Sequence, residues 1–165
     1  MIRSLEVRDL VVIARAELAP PPGLTAITGE TGAGKTVLTQ ALGLLAGAPA
    51  DPGAVRAGAR HALVQATLAL PDGFWDRLDE DDPALGVRDL VDDESEVVIA
   101  RRVPAEGRAR ALVDGQAAPR DAVASLARAV MRFSSQHDHR RLVSAASQLA
   151  ALDAFAGAEA VAAAE

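Results

Sequence analysis

Cysteine and tyrosine are absent from the 165 residues, and one tryptophan and three phenylalanines are the only aromatic side chains. Without cysteine there is no disulfide, no thiolate metal site and no cysteine nucleophile, a pattern that suits a reducing compartment. So few rings mean that the core must be built from alanine, valine and leucine. No apolar run approaches the length of a membrane span, and the opening MIRSLEVRDL lacks the apolar stretch of a secretory signal. The expectation is a cytoplasmic protein with no membrane attachment. A surplus of basic charge is missing too: 17 Lys and Arg stand against 23 Asp and Glu, for a net charge of −6. A chain of that sign is no general nucleic-acid magnet, so any phosphate recognition must be local. What is present is apolar bulk, 50% of residues, which excludes disordered and collagen-like classes and fits one compact domain.

Alternation predicts strands in the first 28 residues. Leu5 and Val7 alternate with Glu6 and Arg8, Val11 to Ile13 form a short apolar run, and Ala16 to Leu18 alternate again before Pro20, Pro21 and Pro22. After Gly23, the segment Leu24 to Thr28 is short and apolar enough for a buried strand. Val37, Leu38, Ala41, Leu42 and Leu45 then recur at helical spacing. Residues 47–60 read as a Gly/Pro-rich loop, 61–70 as a strand, and the acidic stretch 76–96 as a solvated helix and turn. Glu96–Val103 and Arg108–Asp114 flank Pro104 to Gly107 as a hairpin with arginines on its outer positions. A helix follows from Pro119, with Ala122, Val123, Leu126, Ala127 and Val130 as its apolar stripe. Val130 to Phe133 then reads as the start of a strand, and an Ala/Leu helix runs from about Ser144 toward the C-terminus.

Between the strand at 24–28 and the helix at 37–45 stands Gly29-Glu30-Thr31-Gly32-Ala33-Gly34-Lys35-Thr36, which matches G-x-x-x-x-G-K-[ST] at every fixed position. Glycine lets the backbone close around phosphate with no Cβ in the way, and successive N–H groups form an anion nest at the positive end of a helix. Lys35 then reaches the β- and γ-phosphates, and the Thr36 hydroxyl offers one ligand to Mg²⁺. The loop therefore predicts a nucleoside triphosphate with Mg²⁺ as the bound pair.

The octapeptide alone does not choose among kinases, GTPases, helicases and ABC-type ATPases. Its surroundings DLVVIARAEL, GLTAITGETGAGKT, ADPGAVRAGA, GRARALVDGQ and SSQHDHRRL before LDAFAG are similar to the N-terminal head segment of the RecN family. These are bacterial DNA double-strand-break repair ATPases of the SMC-like ABC class, and the resemblance runs from about Ile2 to Gly157. It implies an α/β P-loop head lobe with a mixed parallel and antiparallel sheet over residues 1–157. Residues 158–165 would be the first turns of an outgoing coiled-coil helix. It implies ATP and ADP as ligands, DNA ends or single strands as partners, the C-terminal half of the same head, and a homodimer joined through heads in a nucleoid-associated protein. Gln136 would be the Q-loop residue that completes the Mg²⁺ shell and contacts the attacking water. Arg56 lies in a segment resembling the arginine loop of SMC heads, where arginine touches nucleotide or DNA.

Arg101, Arg102, Arg108 and Arg110 give the hairpin local positive charge, so it is a candidate DNA-facing surface. His137, Asp138 and His139 bring too few ligands for a metal site. After Thr36 no apolar strand ends in Asp-Glu, and Leu90 to Glu94 lack the apolar run such a strand needs, so they read as an acidic turn. The expectation is a lobe that binds ATP and barely hydrolyses it alone, since phosphoryl transfer depends on a complete set of positioned charges. The rival readings are another SMC-like or RecF-like repair ATPase, a small-molecule P-loop kinase, and an interaction module with a vestigial loop.

Overall fold

The computed structural model describes residues 1–30, 34–131, 148 and 152. The chain divides into two units, Met1–Phe133 and Ser134–Glu165. Of the second, only Gln148 and Leu152 are described, both helical and exposed. Gln136, the two histidines beside it, the expected coiled-coil start at 158–165 and the expected helix from Ser144, apart from Gln148 and Leu152, lie outside the described residues.

In the first unit six strands form one sheet in the order β2-β1-β3-β4-β5-β6. They are β1 (Ile2–Leu10), β2 (Ile13–Leu18), β3 (His61–Ala69), β4 (Glu96–Pro104), β5 (Arg110–Val113) and β6 (Gln116–Ala118). The register puts Val7 beside Val64, Ala66 beside Ile99, Leu68 beside Val97 and Ile99 beside Val113, so one face carries the apolar set across the whole sheet. Two helices cover it, α1 (Lys35–Leu45) through Val37, Ala41, Leu44 and Leu45, and α2 (Arg120–Val130) through Ala122, Val123, Leu126 and Ala127. Each fully buried Leu or Ile of this layer contributes about 2 kcal/mol. The opposite face is polar near β1 and β2, where Glu6 pairs with Arg8 at 2.7 Å and Arg15 at 3.5 Å.

Two expectations about the early chain need correction. The apolar run Val11 to Ile13 is largely a hairpin tip: β1 ends at Leu10, Ile13 opens β2, and Val11 and Val12 are 40% and 60% exposed. Leu24 to Thr28 is not a strand, and Leu24 is 98% exposed. Among the described residues every strand pairing is antiparallel, so the parallel part of the expected mixed sheet is not seen there. β1 is flanked on both sides by antiparallel neighbours, β2 and β3, and the edge strands β2 and β6 have no second partner among the described residues.

Further along, the acidic stretch forms short 3₁₀ segments at Trp75–Arg77 and Pro83–Leu90 rather than an α-helix. Val130 closes α2 instead of opening a strand, and Met131 is the first extended residue after it. Asp114 and Gly115, with φ of 45° and 79°, make the tight turn that adds β6 to the sheet before α2. Among the described residues no helix is long and apolar enough to cross a membrane.

Candidate functional site

Gly34 sits at the N-cap of α1 with φ 92° and ψ 1°, a left-handed conformation that a side chain would resist. It delivers the chain directly into the helix, whose first regular bond runs from Leu38 N–H to the Gly34 carbonyl at 3.1 Å. No side chain caps this end, so the first-turn N–H groups are available to an anion. Lys35 folds back over its own loop: Nζ donates to the carbonyl of Gly29, and to that of Glu30 at 2.6 Å. The ammonium is thereby held at the mouth of the loop by two neutral acceptors, partners that a phosphate oxygen would outcompete. Thr36 is exposed, and its hydroxyl makes no hydrogen bond among the described residues. Thr31, Gly32 and Ala33 lie outside the described residues.

The donor set suits a triphosphate with Mg²⁺ in one respect and lacks a full cation cage in another. Thr36 supplies a free oxygen beside the loop, while among the described residues no group of three or more His, Asp or Glu side chains could hold a metal. A Mg²⁺ here would take most of its oxygens from phosphates and water, as that ion commonly does. Beside Lys35 lies an apolar cavity of about 330 Å³ walled by Ile2, Leu5, Leu18, Ile27 and Leu38.

Arg56 is tied to the β1–β2 tip. Its Nη1 donates to the Val12 carbonyl at 2.9 Å and its backbone N–H to the Asp9 carbonyl at 2.9 Å, while Val11 N–H reaches the Ala54 carbonyl at 2.7 Å. The same tip leans on the phosphate loop, since a Cβ placed on Gly34 would stand 3.5 Å from the Ile13 side chain. The segment around Arg56, the hairpin tip and Gly34 are thus one contiguous contact chain.

The hairpin arginines divide between the two faces of β4. Arg102 and Arg110 face each other across β4 and β5, on the side away from the core. With Arg60, His61, Arg108 and Glu106 they line a cleft of about 510 Å³, in which Arg102 Nη2 lies 3.3 Å from His61 Nδ1. Sequence reasoning missed Arg60 and His61, which β3 brings alongside the hairpin. Arg101 is a correction. It shares the core face with Val97, Ile99 and Val103, is 3% exposed, and lies opposite Val64 and Ala111. Its Nε and Nη1 have no hydrogen-bond partner among the described residues. Burial lowers its pKa from the ordinary arginine value, Arg120 lowers it further, and Asp121 opposes both. Arg101 therefore does not belong to the outward-facing set.

No protein-family model matches the chain. Curated relatives do. A DNA repair protein RecN from Streptomyces coelicolor is 40% identical over 93% of this chain and 26% of its own length. Another from Vibrio cholerae is 31% identical over 95% of this chain and 27% of its own length. The chain thus spans about a quarter of the length of these relatives. Among solved structures, an SMC ATPase described for ATP-driven dimerization and DNA-stimulated activation aligns over 92% of this chain and 97% of its own, with a TM-score of 0.62 at 24% identity. An Smc head domain with coiled coil and joint from Pyrococcus yayanosii aligns over 86% of this chain and 29% of its own, with a TM-score of 0.63 at 25% identity. A phosphate loop at the start of α1, an antiparallel sheet running ahead of it and beyond it, and these likenesses along almost the whole chain agree: it is an N-terminal segment of the RecN family with the P-loop fold of SMC ATPase heads.

Proposed function

We propose that this chain is the ATP-binding lobe of a longer SMC-like ATPase head that works in DNA double-strand-break repair. The observation that carries the reading is Lys35, held by the carbonyls of Gly29 and Glu30 at the uncapped start of α1. On binding, the Lys35 ammonium exchanges those carbonyls for β- and γ-phosphate oxygens, the free N–H groups of the first helical turn take further oxygens, and the Thr36 hydroxyl joins the Mg²⁺ shell. Mg²⁺, held in part by the Thr36 hydroxyl, would supply neutralising charge to the triphosphate. Gln136 would orient the attacking water.

The described residues contain no Asp-Glu strand end, so hydrolysis requires the rest of the head and a second head closing over the γ-phosphate. Closure and hydrolysis would change how the protein holds DNA ends or single strands in the cytoplasm, at the nucleoid. Support for a DNA-facing surface comes from Arg102 and Arg110 standing opposite one another: like charges in directly paired positions cost stability unless an anion lies between them.

The test is isothermal titration of the chain with Mg·ATP, with Lys35→Ala as control. Removing a charge-assisted contact to phosphate should weaken binding by at least roughly tenfold. Equal heats for the two proteins would leave the loop without a nucleotide role.

A further inference from the structure

At the end of the sheet where β3 leaves and β4 enters, two short segments far apart in sequence close over the chain's single tryptophan. Leu70 N–H donates to the Ser95 carbonyl at 2.8 Å, and this bond holds the turn at 71–77 against the loop at 91–95. Between them is a cavity of about 300 Å³ lined by Asp72, Trp75, Asp76, Arg88, Asp93 and Glu94. Trp75 is 4% exposed and meets Phe74 edge to face at 5.1 Å. Its indole N–H is buried with no acceptor among the described residues, an arrangement that costs about 1–3 kcal/mol. Four carboxylates line the space against one guanidinium.

That guanidinium shows what the pocket accepts. Arg88 lies 6.0 Å from the centre of the Trp75 ring and reaches Asp76 at 3.8 Å and Glu94 at 3.4 Å. The hold is loose: both ion pairs are long, and the Arg88 side chain is 44% exposed. Asp93 is occupied by the Ser95 N–H and hydroxyl, while the Asp72 carboxylate has no partner among the described residues. The surplus of negative charge excludes an anion. A bare metal ion does not fit either, because no group of described side chains is placed to hold one. A cation that also carries a hydrogen-bond acceptor satisfies both needs, and a basic peptide has both: an ammonium or guanidinium for the ring and carboxylates, and a main-chain carbonyl for the indole N–H.

We propose that this pocket docks a lysine- or arginine-bearing peptide segment of a partner protein. The incoming cation takes the place of Arg88 over the Trp75 ring and pairs with Asp72 and Glu94, and the vacated space lets a peptide carbonyl accept from Trp75 Nε1. Arg88 is then a built-in competitor, lying where the partner's side chain would lie.

The experiment uses the 165-residue chain and a fluorescein-labelled hexapeptide of alternating alanine and lysine, followed by anisotropy; the same peptide unlabelled is followed by emission of the sole tryptophan. The expected result is saturable binding with a shift in Trp75 emission, and none with the alternating alanine–glutamate peptide. Asp72→Asn with Glu94→Gln should weaken binding roughly fivefold, as two exposed ion pairs would, and Arg88→Gln should tighten it. Trp75→Phe should weaken binding while leaving the thermal midpoint unchanged or higher, a combination that a purely structural tryptophan would not give. An unchanged Trp75 emission, equal affinity in the Asp72/Glu94 variant, or weaker binding by Arg88→Gln would overturn the proposal. So would spermidine acting as well as the peptide, since a polyamine has no carbonyl to offer the indole.

Discussion

Gly47 passes so close to α2 that a Cβ at that position would stand 2.7 Å from the Ala124 Cβ. Gly47 also ends α1. Its φ is 100°, its N–H bonds to the Leu44 carbonyl at 3.2 Å, and Ala48 N–H bonds to the Gly43 carbonyl at 2.8 Å, the paired bonds of a left-handed helix stop. Two independent constraints therefore fall on one residue. Gly47→Ala should destabilise the fold by about 3 kcal/mol, combining left-handed strain with overpacking between the helices. A urea titration measures it, and Gly58→Ala is the control: its φ is 84° but nothing lies within 4 Å of the added Cβ, so only the strain remains.

Arg101 should respond in the opposite sense. A buried guanidinium with two unpaired nitrogens costs more than it returns, so Arg101→Met should raise stability by about 2 kcal/mol. Arg102→Met on the outward face should raise the urea midpoint only slightly, by relieving the repulsion from Arg110. A loss of stability at position 101 comparable to that of a core truncation would mean that its nitrogens are paired.

Asp93 provides a pH-dependent element. The backbone N–H of Ser95, then its hydroxyl, bond the Asp93 carboxylate and hold its pKa below the ordinary aspartate value of 3.8. A carboxyl with a lowered folded pKa adds stability that is fully present above that ordinary value and lost as pH falls through the lowered one. Carbon-13 titration of the carboxyl groups should find Asp93 titrating below 3.8. Ser95→Ala should move it back toward that value.

The hairpin cleft makes a claim about salt. If Arg102, Arg108 and Arg110 contact DNA phosphates, their replacement by glutamine should weaken binding across sequences and reduce the slope of log affinity against log salt by roughly one per arginine in contact. Arg101→Gln should leave that slope unaltered. Slopes identical for the triple variant and the parent would remove the cleft from the DNA surface.

Much of this molecule follows from local pattern. Alternation from Ala62 to Leu68 predicts β3, the spacing of Val37, Ala41 and Leu45 predicts α1, and the apolar stripe after Pro119 predicts α2; each lies within two residues of its expected bounds. The phosphate loop is legible for the same reason, because its chemistry is carried by consecutive backbone groups. Arg101 was legible as well: Val97, Ile99 and Val103 at its own parity mark the face it shares, a signal stronger than its charge.

Other features were decided only when distant segments met. Leu24 to Thr28 is apolar enough for a strand, yet a strand exists through its neighbours, and no described strand pairs with this segment. The acidic stretch read as plain solvated surface until the Leu70–Ser95 bond brought Asp72 and Glu94 around one indole. Periodicity and loop chemistry are properties of residues a few positions apart and are written in the sequence itself. Strand pairing and convergence of charges depend on long-range contacts, whose geometry is set by which faces can be buried together.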